Sequence, residues 1–138
     1  MNKRFFAAIL IFVLAVLLAS CDSSASNPTD DLLDTLTGAG YVMEERDAES
    51  IAYYQANTLR TTYAVEDGVV EKLYVGYIDG TERWVEVVTL ANTQQANSYA
   101  QAIYAEGATG KLLIVKNEVI LITFSTETIN LFPVVKGY

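Results

Sequence analysis

The spacing of apolar side chains changes character several times along the chain, and each change marks an element. From Phe5 to Leu18 the residues are almost continuously apolar, with Lys3 and Arg4 before them and the small residues Ala19 and Ser20 behind. Asp22 to Thr29, "DSSASNPT", is small and polar with no period that buries a face, and reads as a flexible tether. At about 3.3 Å per residue it stretches to roughly 25 Å. Helical spacing begins where it ends. Asn27 stands as an N-cap, Pro28 at the first helical position, and Asp30 and Asp31 where the helix dipole favours negative charge. Leu32, Leu33 and Leu36 make one stripe, and Gly38 and Gly40 close the helix. A short strand, Tyr41 to Glu45, follows. Asp47 caps a second predicted helix through Ala56, with Ile51, Ala52 and Gln55 along one face.

From Leu59 to Ala91 the period falls to that of strands, punctuated by Asp67-Gly68 and Asp79-Gly80. Glycine accepts the positive φ of the tight turns that join antiparallel strands. The pattern predicts a three-strand meander: Leu59 to Val65, Val69 to Ile78 and Glu82 to Leu90. In the third strand Val85 and Val87 alternate with Trp84 and Glu86, giving one covered and one mixed face. "ANTQQANSYAQAIYAEG" returns to helical spacing, with Asn92 or Thr93 as cap, a stripe of Ala96, Tyr99, Ala100 and Ile103, and Gly107 as the stop. "KLLIVKNEVILITF" is two dense apolar runs around Lys116, Asn117 and Glu118, a hairpin whose strands both read as buried on two faces. Ser125 caps a short last helix through Phe132, which Pro133 ends. The sum is an α+β fold, an antiparallel sheet (three-strand meander plus a hairpin) with helices packed mainly on one face.

The positive start, apolar run and small residues before Cys21 have the layout of an export signal. The run falls short of the roughly 20 apolar residues a spanning helix needs, which favours cleavage over retention. Leu18, Ala19, Ser20 and Cys21 resemble the lipobox of bacterial lipoproteins. The resemblance implies that a diacylglycerol is attached to the Cys21 sulfur and that a signal peptidase cuts before it. Two acyl chains, at about 0.8 kcal/mol per buried methylene, anchor stably where one binds reversibly. Asp22 would then imply, in a Gram-negative cell, retention at the inner membrane, and a Gram-positive cell has only one membrane. Either way the expected location is the outer face of the cytoplasmic membrane. Expected boundaries are a signal peptide over 1–20, the lipidated cysteine and tether over 21–29, and one α+β domain over 30–138.

Removing residues 1–20 takes away Lys3 and Arg4 but no acid, which leaves a net charge of about −10 on roughly 118 residues. No cluster of Lys or Arg marks a nucleic-acid surface, and the charge disfavours adhesion to anionic headgroups, so the lipid must do the anchoring. The length suits one modest core, expected as a monomer. No disulfide is available, because Cys21 is the sole cysteine.

The chain has no histidine, which excludes a Ser-His-Asp triad, a Cys-His pair and His-ligated zinc or iron, and it carries no glycine-rich phosphate loop. The dense carboxylate groups are Glu44 to Glu49 ("EERDAE") and Asp30, Asp31 and Asp34. Both read as solvated helix starts. A loose calcium site is the functional alternative, but neither stretch has the glycine turn of a shaped loop. No cofactor, metal site or catalytic residue is implied. Gly40-Tyr41-Val42 after a helix, the passage "RWVEVVTLANTQQANSYAQ" and the closing hairpin with its short helix are similar to small uncharacterised lipoproteins of low-GC Gram-positive bacteria. That resemblance brings no catalytic residues with it. The aromatics Tyr53, Tyr54, Tyr63, Tyr74, Tyr77, Trp84, Tyr99 and Tyr104 are expected mostly in the core or at its edge, with Trp84 beside Glu86 the candidate partner-binding pair. The expectation is a non-catalytic binding or scaffolding module for an envelope protein or polymer. The alternative is a small cell-wall hydrolase using a carboxylate pair.

Overall fold

The computed structural model describes residues 26–107 and 109–133. The order is α1 (Pro28–Gly38), β1 (Val42–Glu45), α2 (Ala48–Tyr53) continued by a π-helical segment (Tyr54–Thr62), β2 (Val70–Tyr77), β3 (Trp84–Leu90), α3 (Thr93–Ala105), β4 (Leu112–Lys116), β5 (Val119–Thr123) and α4 (Thr126–Ile129). The fold class is α+β. Five antiparallel strands form one sheet in the order β1-β2-β3-β5-β4.

The caps sit where the sequence puts them. Asn27, Asp47, Asn92 and Ser125 each accept a backbone N–H of the first turn of the helix they precede, which satisfies one of the donors a helix start leaves unpaired. The fold takes in more of the expected tether than its composition suggested. Pro28 is already helical, and Thr29 is buried with its hydroxyl 2.9 Å from that of Thr89 on β3.

Alternation along the central strands sorts the core into two layers. Val85 and Val87 of β3 and Val119 and Leu121 of β5 meet Leu32 and Leu36 of α1 on one face, with Tyr41, Ile129 and Phe132 beside them. Val88, Leu90, Ile120 and Ile122 face the other way. They pack under α2 with its π segment and under α3, the two longest helical stretches among the described residues, through Tyr54, Leu59, Ala96, Tyr99, Ala100 and Ile103. Each fully buried Leu, Ile or Val in these layers is worth about 1.5–3 kcal/mol of transfer free energy.

Three expectations are corrected. Leu59 to Val65 is not a strand: it lies in the π segment and the turn after it, and the strand flanking β2 is β1, registered from Val42↔Tyr77 to Glu45↔Tyr74. The meander therefore consists of β1, β2 and β3, with a helical excursion between the first two. Ala52, expected on the apolar face of α2, is exposed, while Tyr54 and Leu59 are buried. Of the last hairpin only β5 is buried at every position, between β3 and β4. β4 is an edge strand and half-buried, because no strand covers its far side.

The two aspartate-glycine pairs play different parts. Gly80 takes φ +74 in the turn joining β2 to β3. Gly68 makes no such turn, and a Cβ there would lie 2.2 Å from Leu59 Cδ2, so its role is to let the chain pass under the π segment.

Candidate functional site

Strand alternation puts Trp84 and Glu86 on the face covered by α2, the π segment and α3, opposite to Val85 and Val87. Glu86 is registered with Val75 of β2 and Ile122 of β5, so its carboxyl rises from the sheet between two apolar neighbours. Above it stands Tyr54, the first residue of the π segment, whose hydroxyl donates to Glu86 Oε2 at 2.9 Å. The Tyr54 and Tyr99 hydroxyls are 2.7 Å apart. With the Tyr54 proton given to the carboxylate, Tyr99 is the donor in that second bond. The ring of Tyr63 meets that of Tyr99 edge-on at 5.3 Å. Lys111, just before β4, donates from Nζ to the Tyr63 hydroxyl and lies 4.9 Å from the Tyr63 ring centroid.

These groups line a half-open cavity of about 640 Å³ between the sheet and the start of α2. Tyr53, Tyr54 and Trp84 provide aromatic wall, Glu86, Tyr99 and Lys111 the polar interior, and Arg46, Asp47 and Glu49 lie on the α2 side. The aromatic surface continues outward. The Trp84 ring lies 5.6 Å from that of Phe124, tilted by 31°, and Phe124 and Tyr53 are 56% and 70% exposed, unusual for large apolar rings.

Burial pushes the Glu86 carboxyl above the usual carboxylate range, against the hydrogen bond from Tyr54 and the positive charge of Lys111, which pull it down. Burial likewise pushes the Tyr54 and Tyr99 hydroxyls well up, Glu86's negative charge adding to it. Neither tyrosine ionises in any ordinary pH range. The titrating group of the cavity floor is therefore Glu86.

Trp84 and Glu86, singled out in the sequence, thus share one cavity. Tyr54 and Lys111 were not singled out as site residues, and Tyr99 read only as core; nothing in the local pattern connects 54, 99 and 111 until the sheet brings them together. The tyrosine expectation divides. Tyr54, Tyr63 and Tyr99 are buried, whereas Tyr53, Tyr77 and Tyr104 are exposed. Of the dense carboxylates, Asp47 and Glu49 line the α2 side of this cavity and the others are not in its lining. Asp31 is paired with Lys116 at 2.8 Å and with Ser26 at 2.9 Å, and both bonds hold its carboxyl below the usual range. Asp47 is held low by the Ser50 backbone and side chain that it caps. Among the described residues no three His, Cys, Asp or Glu side chains are placed to hold a metal, and no helix is long and apolar enough to cross a membrane. Leu18, Ala19, Ser20 and Cys21 lie outside the described residues.

No family model matches the chain, and neither the curated proteins nor the solved structures yield a match. The site must be read from its own chemistry. A largely buried carboxyl, two hydroxyls and an aromatic wall around an open cavity suit the recognition of a ligand segment that has both polar and apolar parts.

Proposed function

We propose that the protein is an extracytoplasmic lipoprotein anchored through an acylated Cys21, whose domain is a non-catalytic binding module. Its ligand is a segment of an envelope protein or polymer, seated in the cavity of Trp84 and Glu86. The observation that carries this reading is the aromatic surface running from the cavity wall to solvent through Trp84 and Phe124, with Tyr53 at the mouth. Exposed rings beside a polar floor are what a binding face for sugar or peptide uses. The anchor rests on the resemblance of Leu18 to Cys21 to a lipobox.

A second reading, the carboxylate hydrolase, is favoured by one observation: Glu86 sits in a cavity with its carboxyl held up, as a general acid requires. Against it, a glycosidase needs a second carboxyl facing the first. Asp47 is occupied in capping α2, and Glu49 is exposed on the first turn of that helix.

The test uses the full chain purified in detergent and insoluble cell-wall polymer as the probe. Co-sedimentation is expected, with loss of most of the retention in Trp84→Ala and in Tyr53→Ala and no soluble fragments released from the polymer. Retention unaffected by both substitutions would remove the cavity from the reading, and fragment release abolished by Glu86→Gln would establish the hydrolase instead.

A further inference from the structure

Glu86 is unusual in what it lacks. Among the described residues no Lys or Arg nitrogen comes within ion-pair distance of its carboxylate. The cation nearest in influence, Lys111, has its Nζ occupied by the hydroxyl and ring of Tyr63. The carboxylate accepts one side-chain hydrogen bond, from Tyr54 to Oε2. Among the described residues no buried side-chain nitrogen or oxygen lacks a partner, and Oε1 accepts no hydrogen bond from them, so Oε1 is not sealed off, and Glu86 lines the cavity. A carboxylate set between Val75 and Ile122 without a cation is costly to keep charged. The walls around it are the rings of Tyr53, Tyr54 and Trp84, whose π faces attract a cation. The whole chain, at net charge −8, draws cations toward it.

From this geometry we infer that the cavity takes the ammonium group of an organic amine, a peptide amine or an amino sugar with its nitrogen free, with Glu86 Oε1 as acceptor and the rings of Tyr53 and Trp84 flanking the charge. The inference rests on the binding reading above and names the ligand chemistry of the same site. The groups facing Glu86 are Tyr54 from the π segment, Tyr99 from α3 and Lys111 before β4, with Arg46, Asp47 and Glu49 farther out on α2 and the turn before it. Glu86 is the carboxyl among these inner groups, held above the usual carboxylate range by burial, and an ammonium favours its charged form. Binding therefore expels the carboxyl proton wherever free Glu86 still holds one, and affinity falls as pH drops through the raised range of Glu86.

Trp84 is the only tryptophan of the chain, so its emission reports the cavity directly. The probes are L-lysinamide and the same molecule acetylated on both amines, titrated into the full chain in detergent. L-lysinamide should shift the emission saturably, with the acetylated form and Glu86→Gln each weaker by about tenfold or more, the scale of a lost charge-assisted hydrogen bond. In weakly buffered solution the wild type should release protons on binding and Glu86→Gln should not. Glutamine keeps an acceptor for Tyr54, and a cooperative melt confirms that the variant is folded. Equal binding of both probes, or an affinity unchanged in folded Glu86→Gln, overturns the inference. If neither probe binds while cell-wall polymer is retained, the ammonium inference falls and the binding module stands; if polymer is not retained either, both fall.

Discussion

A single carboxyl on β3 sets the chemistry of the cavity and also leaves a mark on stability. The Glu86 carboxyl is raised in the folded protein, chiefly by burial. The folded state therefore holds its proton to a higher pH than the unfolded state does, and the sign of the linkage follows. Stability attached to Glu86 is full below the ordinary carboxylate value, where both states are protonated. It is lost as pH rises through the raised value of the folded state. Asp31, Asp47 and Glu127 act in the opposite sense, since hydrogen bonds lower all three and their contribution is lost as pH falls, but all three are exposed and solvent screens them. Glu86→Gln removes the charge and keeps an acceptor for the Tyr54 hydroxyl. We expect the variant to melt at or above the wild-type temperature at about pH 7 and to lose that advantage as the pH is brought down to about 5. Thermal melts of both proteins across that range check it, and a variant that is less stable at neutral pH would mean that Glu86 has a cationic partner in solution.

At the scale of elements the informative case is the stretch after Asp47. Within 48–63 the buried residues are 54, 59 and 63, and the first step, of five, breaks the three-and-four spacing by which a helix is recognised. The π segment makes that spacing real. Tyr63 N–H donates to the Thr58 carbonyl at 3.1 Å, and the Thr61 and Thr62 hydroxyls donate to the carbonyls five residues back, Ala56 and Asn57. Three threonines and a tyrosine near the sheet-like residues that follow then imitate a strand, which is why periodicity assigned Leu59 to Val65 wrongly while it placed α1, α3 and both strands of the final hairpin. Caps and alternation are local and were legible. The cavity was legible only in part, because alternation alone puts Trp84 and Glu86 on one face, whereas Tyr54 reaches Glu86 through the wide helix and Lys111 arrives from the far end of the chain. The segment also ends awkwardly. Ala64 takes φ +54, and Val65 N–H closes on the Leu59 carbonyl at 3.0 Å, a helix stop that ordinarily uses glycine. Ala64 is exposed and loses no packing on replacement. Ala64→Gly should stabilise the protein by about 1 kcal/mol, the left-handed penalty less the added freedom of the unfolded chain, and raise Tm by roughly 4 °C. A neutral or lower Tm would place the strain of this turn elsewhere.

For the whole molecule the proposed reading raises the question of what would hold it at a membrane. The described residues provide no spanning helix, and a chain of net charge −8 is repelled by anionic headgroups. Attachment in the proposed reading falls on Cys21 alone. Two acyl chains suffice thermodynamically, because each buried methylene adds about 0.8 kcal/mol. Cys21 is outside the described residues, and the core, the caps and the cavity described above are built from residues 27 onward, so Cys21→Ser changes none of their side chains. Cys21→Ser removes the sulfur nucleophile and leaves the apolar run from Phe5 to Leu18 in place for export. The wild type should partition with membranes, enter the detergent phase and incorporate labelled fatty acid. The variant should incorporate none. It should either remain tethered by its uncut signal, running larger on a gel, or be released by another peptidase into the soluble fraction, and in both forms its Trp84 emission should match that of the wild type. Label retained at mature size in Cys21→Ser would mean that another residue carries the acyl chains, and the lipobox assignment would have to be withdrawn even if the cavity binds as proposed.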